Sequence, residues 1–190
     1  KLTYAGTIME LMTSFVKVFA VILVLHVVIL LFQYTVAGTA AKKNPFGLIK
    51  NMIPAYTTAI GTQSSAATIP VTVECTKKNG VSDAIAEFVC PLCATIHLSG
   101  STITLTSCSI AVMMMMGQPV TFGKMFPFIL MLGVTMVAAP GVPGGAVMAA
   151  LGILQSMLGF DETMQGLMIA LYIAQDSFGT ACNVTGDGAI

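Results

Sequence analysis

Residues 51–75 read NMIPAYTTAIGTQSSAATIPVTVEC. An apolar arm runs to Thr62, a small polar tip follows at Gln63, Ser64, Ser65, Ala66 and Ala67, and a second apolar arm closes the stretch. Neither arm is long enough to cross a bilayer. At 1.5 Å per residue the longer arm, 51–62, spans about 18 Å as a helix, against a hydrocarbon core of about 30 Å. A segment this apolar that cannot cross is expected to enter and leave by one face, as a re-entrant hairpin over 46–78. Lys42, Lys43 and Lys50 before it match Lys77 and Lys78 after it, as expected if both ends lie on the cytoplasmic side.

The flanking sequence extends this pattern. Residues 11–37 form an apolar span long enough to cross, with Lys17 near enough to its start to snorkel and His26 expected as a packed or partner-bonded histidine. Residues 81–116 are apolar for longer than one span needs, but His97, Leu98, Ser99, Gly100, Ser101 and Thr102 interrupt them, which predicts a discontinuous helix. A second hairpin is expected over 121–158, with its tip from Ala139 through Pro140, Gly141, Val142, Pro143 and Gly144 to Gly145. Acidic Asp161 and Glu162 at its exit are opposite in sign to the first hairpin's flanks, so the two are expected to enter from opposite faces. Residues 162–190 make a last span. Hairpin plus broken span, followed by hairpin plus polar-striped span, is the order of an inverted repeat whose binding site lies where the four elements meet.

Composition agrees with an all-α integral membrane protein. The 190 residues are 56% hydrophobic and only 8% charged, with a mean hydropathy of +0.90, whereas soluble domains carry roughly 25% charged residues. Net charge is zero and there is no basic run, so nucleic acid is not an expected partner; membrane lipid is. Every basic residue is lysine; arginine, the planar fork suited to gripping a carboxylate, is absent. Cys90 and Cys93 form a CxxC, but in an apolar helix without a second ligand pair they read, like the other cysteines, as small core residues. The run Met113 to Met116 reads as packing or lipid-facing. Lys1 stands first, and the chain stops at Ile190 within what reads as a continuing helix, so a fragment is expected.

The last span carries Asp176, Thr180, Asn183 and Asp187 at offsets of 4, 3 and 4, one face of a helix. A carboxylate at hydrocarbon depth is disfavoured by roughly 3 kcal/mol or more, so such a stripe is expected to face a ligand, an ion or water, with polar glue between helices as the alternative. Asp176 suits an ammonium group, Asn183 a carboxylate or a donor, and Asp187 a cation. Hard oxygen ligands favour sodium or protons over a transition metal, and no other cofactor is expected. Helix starts at the two tips would present unpaired N–H groups to an anion without arginine. Ser64 and Ser65 fit either substrate contact or N-caps. Gly141, Gly144 and Gly145 fit either close backbone approach with hinge-like opening or a tight turn.

With SSAATIPVT at 64–72, HLSGST at 97–102, GVPGG at 141–145 and DSFGTACNVTGD at 176–187, the chain resembles the dicarboxylate/amino acid:cation symporter family, the glutamate transporter homologues, over nearly its whole length. The resemblance implies the transport core from the sixth span onward, an elevator-like mechanism and a homotrimer built through a scaffold outside these residues, in the cell membrane of a bacterium or archaeon. It implies substrate contacts at Ser64, Ser65, Ser101, Val142, Gly144, Asp176, Gly179, Thr180 and Asn183, with the amino group on Asp176 and the α-carboxylate at the Ser65 tip. It implies one sodium site at Asp187 and Asn183 and another at Thr95 with backbone around Val137 and Ala139.

Two departures from the family pattern shape the expected function. Gly179 stands where acidic amino acid transporters have an arginine, so a neutral amino acid is expected. The alternative is proton-coupled symport of a dicarboxylate or an acidic amino acid. His97 and Ser99 replace the Asn and Asp of the family's NMDGT signature, so a buried sodium site loses its charge, and either fewer sodium ions or protonation of His97 is expected. An intramembrane aspartyl protease is disfavoured because Asp176 and Asp187 lie about 16 Å apart along a helix, while a dyad needs carboxylates about 3 Å apart. A passive channel gives no reason for two gate-like hairpins.

Overall fold

The computed structural model describes the backbone of residues 2–190 and the side chains of residues 13 and 15–190. Among the described residues all regular structure is helical, in ten elements: α1 (Leu2–Ala41), α2 (Pro45–Asn51), α3 (Ile53–Thr62), α4 (Ser65–Lys78), α5 (Asp83–Ile96), α6 (Ser99–Met115), α7 (Phe122–Met136), α8 (Gly145–Leu158), α9 (Glu162–Ile173) and α10 (Asp176–Asp187). The stretches Phe15–Ala41 and Asp83–Met115 are long and apolar enough to cross a membrane, the second interrupted at His97 and Leu98.

Helix α1 touches the rest through a single stripe. Ile22, His26, Leu30 and Tyr34, four residues apart, are buried, while Val16, Val21, Val24, Val28, Phe32 and Val36 stand exposed. Such an apolar outer face suits lipid or a protein partner rather than water.

The two short helix pairs share a plan. Helices α3 and α4 pack against each other, and so do α7 and α8. Gln63, in a left-handed conformation (φ 52°), ends α3, and Ser64 caps α4, its Oγ accepting the Ala67 N–H at 3.1 Å. Lys43 Nζ donates to the Asn79 carbonyl (2.5 Å) and Asn51 Nδ2 to Asn79 Oδ1 (2.8 Å), which ties together the two ends of the α2–α4 unit. Lys124 Nζ donates to the Leu158 carbonyl (3.0 Å), tying the base of the α7–α8 pair likewise. At the exit of α4, Lys77 reaches Glu87 at 2.8 Å and Asp83 at 3.6 Å. The hydrogen bond it donates to Glu87 holds its ammonium pKa above the usual lysine value.

Helices α9 and α10 are separate, whereas the sequence reads as one span over 162–190. No proline or glycine marks this break. Gln175 produces it: its Nε2 donates to the Leu171 carbonyl (3.1 Å), the acceptor its own backbone N–H would use in a continuous helix, and that N–H turns to the Tyr172 carbonyl (2.9 Å). Asp176 consequently begins a helix instead of lying within one.

Two larger apolar cores and a small one around Val73, Ala86 and Cys90 fill the interior. Of the larger two, one joins residues of α6, α7, α8 and α9 around Leu105, Phe128, Leu132 and Leu154; the other joins α1, α2 and α3 to α10 around Tyr34, Met52, Ala55 and Ala181. From Gly179 to Asp187 every residue of α10 is buried. All five cysteines are buried and free.

Candidate functional site

The polar face of α10 is built against three other elements. Asn183 Oδ1 accepts the N–H of Gly100 (2.8 Å) and of Ser101 (3.2 Å), and its Nδ2 donates to Ser101 Oγ (2.8 Å). These N–H groups open α6, so the Asn183 amide serves donors that the chain break at His97 and Leu98 leaves free. Helices α6 and α10 come this close because both carry glycine at the crossing. A Cβ at Gly100 would collide with the Gly179 carbonyl and lie 2.6 Å from Cys182 Cβ. His26 secures the same turn from α1, its Nε2 standing 3.0 Å from the Gly100 carbonyl and 3.2 Å from Thr104 Oγ1.

Asp176 meets the second helix pair. Its Oδ2 accepts the Gly144 N–H at 2.7 Å, and its Oδ1 is 3.4 Å from the Thr180 hydroxyl, which donates to it. Gly144 lies in the left-handed region (φ 71°), which is accessible to glycine at little cost, and a Cβ on Gly145 would overlap the Pro140 carbonyl. These glycines let the start of α8 turn its amide toward the acid.

The two tips also meet each other. Ser64 Oγ donates to the Gly141 carbonyl at 2.6 Å and the Ala66 N–H donates to the same oxygen at 3.2 Å. Gln63 Nε2 reaches Ser177 Oγ at 3.3 Å, tying the first tip to α10. Between them lies a small cavity of about 10 Å³, with Ser65, Ser101, Val142, Asp176, Thr180 and Asn183 among its lining residues. That is room for about one water. A larger solute does not fit this space as the side chains stand.

At the other end of α10, Asp187 Oδ1 is hydrogen bonded to His97 Nδ1 (2.9 Å), and His97 Nε2 faces Gln33 Nε2 (2.9 Å). A Cβ at Gly186 would lie 2.6 Å from His97 Cε1 and 2.7 Å from Gln33 Oε1, so glycine makes room for this pair. Ser99 Oγ is buried without a hydrogen-bond partner.

The remaining expected residues lie less centrally. Gly179 does not line the cavity; a Cβ there would meet Thr104 Oγ1 at 3.4 Å and the Ser101 nitrogen at 3.6 Å. Thr95 is exposed and donates to the Leu92 carbonyl (3.0 Å), Val137 is exposed and Ala139 buried. No hydrogen bond among the described residues joins these three to the Asp176 and Asn183 group. No cluster of three or more His, Cys, Asp or Glu side chains suited to a metal occurs among the described residues.

The whole chain, residues 1–190, matches one family, described as the Sodium:dicarboxylate symporter family. The chain belongs to the sodium:dicarboxylate symporter family. This is a family of membrane transporters and not of enzymes. Over 147 residues, 77% of this chain, it is 31% identical to an excitatory amino acid transporter of Caenorhabditis elegans, covering 29% of that protein. Over the same length it is 29% identical to neutral amino acid transporter B(0) of Rattus norvegicus, covering 26% of it, and 31% identical to excitatory amino acid transporter 2 of Homo sapiens, covering 25%. The matched segment thus spans about a quarter of these relatives, which by name include both excitatory and neutral amino acid transporters. Three residues at the site escaped the sequence reading: Gln63 and Tyr172, which line the cavity, and Gln33, which faces His97. A polar tip and a buried aromatic give no motif, and only the assembled packing brings them in.

Proposed function

We propose that this chain is the solute- and cation-binding core of a secondary active symporter that moves a neutral amino acid, with sodium as the coupling ion. The observation that carries this reading is a buried acid without a balancing cation. Asp176 offers a carboxylate for an ammonium group, while the chain contains no arginine and no lysine among the cavity's lining residues. A substrate with a second carboxylate would bring an excess negative charge into a site with nothing to meet it. The Asn183 and Ser101 groups and the amides at the start of α4 supply neutral hydrogen-bonding partners for the α-carboxylate.

The tied bases and meeting tips of the helix pairs support reading them as re-entrant hairpins, with the α7–α8 tip acting as gate and the core sliding as an elevator within a homotrimer. Asp187 is the proposed sodium ligand with Asn183, and its bond to His97 supports fewer sodium ions per cycle than a site carrying a second acid. Thr95, Val137 and Ala139 are proposed to contribute to a gate-closing sodium site.

Isothermal titration of the full-length protein with L-serine, L-alanine, L-threonine, L-cystine and L-aspartate, with and without sodium, tests the proposal. Neutral amino acids are expected to bind in sodium and to outcompete aspartate. Preference for aspartate overturns the substrate class, and binding indifferent to sodium overturns the coupling ion.

A further inference from the structure

Tyr172 stands one helical turn before Asp176, near the end of α9, and lines the same cavity. Its side chain is 1% exposed and packed in the core formed with Leu105, Cys108 and Met168. Its hydroxyl lies against the Asp176 carboxylate and Ser101, near enough to bond to either, but its orientation meets strict hydrogen-bond geometry with no described residue. A buried phenol ordinarily has a partner. Here apolar packing sets the ring's position and holds its hydroxyl beside Asp176 at the cavity without a well-formed bond.

The neighbouring groups are already engaged. Asp176 accepts from Gly144 and Thr180, and Ser101 Oγ accepts from Asn183. The phenol can both donate and accept, so it can keep its proton on Asp176 and accept from a solute, or donate to the solute instead. A carboxylate placed on it would lie beside the Asp176 carboxylate, like charge against like. A methyl group would leave it buried and unmatched. A hydroxyl satisfies it in either direction, and one turn of helix separates it from the acid, so a short molecule can reach both.

Building on the neutral amino acid reading above, we propose that Tyr172 is the specificity-determining contact for the solute's side chain, and that the preferred solute is a short amino acid carrying a hydroxyl, its ammonium on Asp176 and its hydroxyl on the phenol. Sodium-driven uptake of L-serine and L-alanine by the full-length protein in liposomes tests this, because the two differ only in that hydroxyl. The wild type is expected to favour serine in kcat/KM. Tyr172→Phe, which keeps the ring and its packing, is expected to lower the serine-to-alanine ratio about tenfold, the scale of one lost buried hydrogen bond.

An unchanged ratio in Tyr172→Phe overturns the assignment. Equal losses for both solutes do so too, since they would mark Tyr172 as a packing support for Asp176. Alanine competing as well as serine in the wild type overturns it without recourse to any variant. A wild type that carries aspartate and neither serine nor alanine fails at the neutral reading instead, so the two failures are distinguishable.

Discussion

Asp176 and Gly100 act through different physics at the same crossing. Asp176 is a buried acid whose bonds come from the Gly144 amide and the Thr180 hydroxyl, so its charge lacks a cationic partner within the site. Asp176→Asn keeps the shape and removes the charge. It is expected to weaken amino acid binding about 10- to 100-fold by titration, the range for loss of a charge-assisted hydrogen bond. Gly100 acts by having no side chain. In Gly100→Ala the added Cβ would drive α6 away from the Gly179 carbonyl and Cys182, costing about 1–3 kcal/mol by the usual measure of overpacking. A lower melting temperature in detergent is the expected result, and an unchanged one would refute the close crossing. Asp176, Thr180, Asn183 and Asp187 were legible in the sequence because polar residues at helical offsets stand out in an apolar run. Tyr172 and Gln33 were not, since one aromatic or one amide in an apolar helix has the pattern of ordinary core until packing shows which polar atoms lack partners.

Among the elements, the first tip depends on Ser64 twice over. Its hydroxyl caps α4 by accepting from Ala67 and also donates to Gly141 across the interface. Ser64→Ala is expected to cost about 1 kcal/mol from the lost cap, and to speed amide exchange at residues 66–68 by mass spectrometry. Exchange equal to wild type would mean the hydroxyl holds nothing. The helices either side of this tip were legible from length and polarity. The break between α9 and α10 was not, because Gln175 makes it with a side-chain hydrogen bond to Leu171, a competition that no glycine or proline announces. The jog at Met52 between α2 and α3, by contrast, carries a signal in Pro54, which sits in the first turn of α3.

For the molecule as a whole, the arrangement rests on its apolar cores, one of which includes α10, and on two tips that touch. A Cβ at Gly141 would stand 3.6 Å from Ala66 Cβ, within the 3.5–4.5 Å that a disulfide requires. The double variant Ala66→Cys/Gly141→Cys in the full-length protein is expected to stop uptake on oxidation and to recover with reductant. Transport that persists in the oxidised, cross-linked protein would show that the tips need not separate. The five cysteines of residues 1–190 are all buried, which limits competing bridges among them.

The Gly141 carbonyl has a consequence for how cargo gets in. It already holds the Ser64 hydroxyl and the Ala66 amide, so a carboxylate docking at the start of α4, as proposed above, would have to evict it. One acceptor replaces another and the donors stay saturated before and after. Under the proposed function, cargo and latch would compete for one seat, and arrival of the first would unfasten the second.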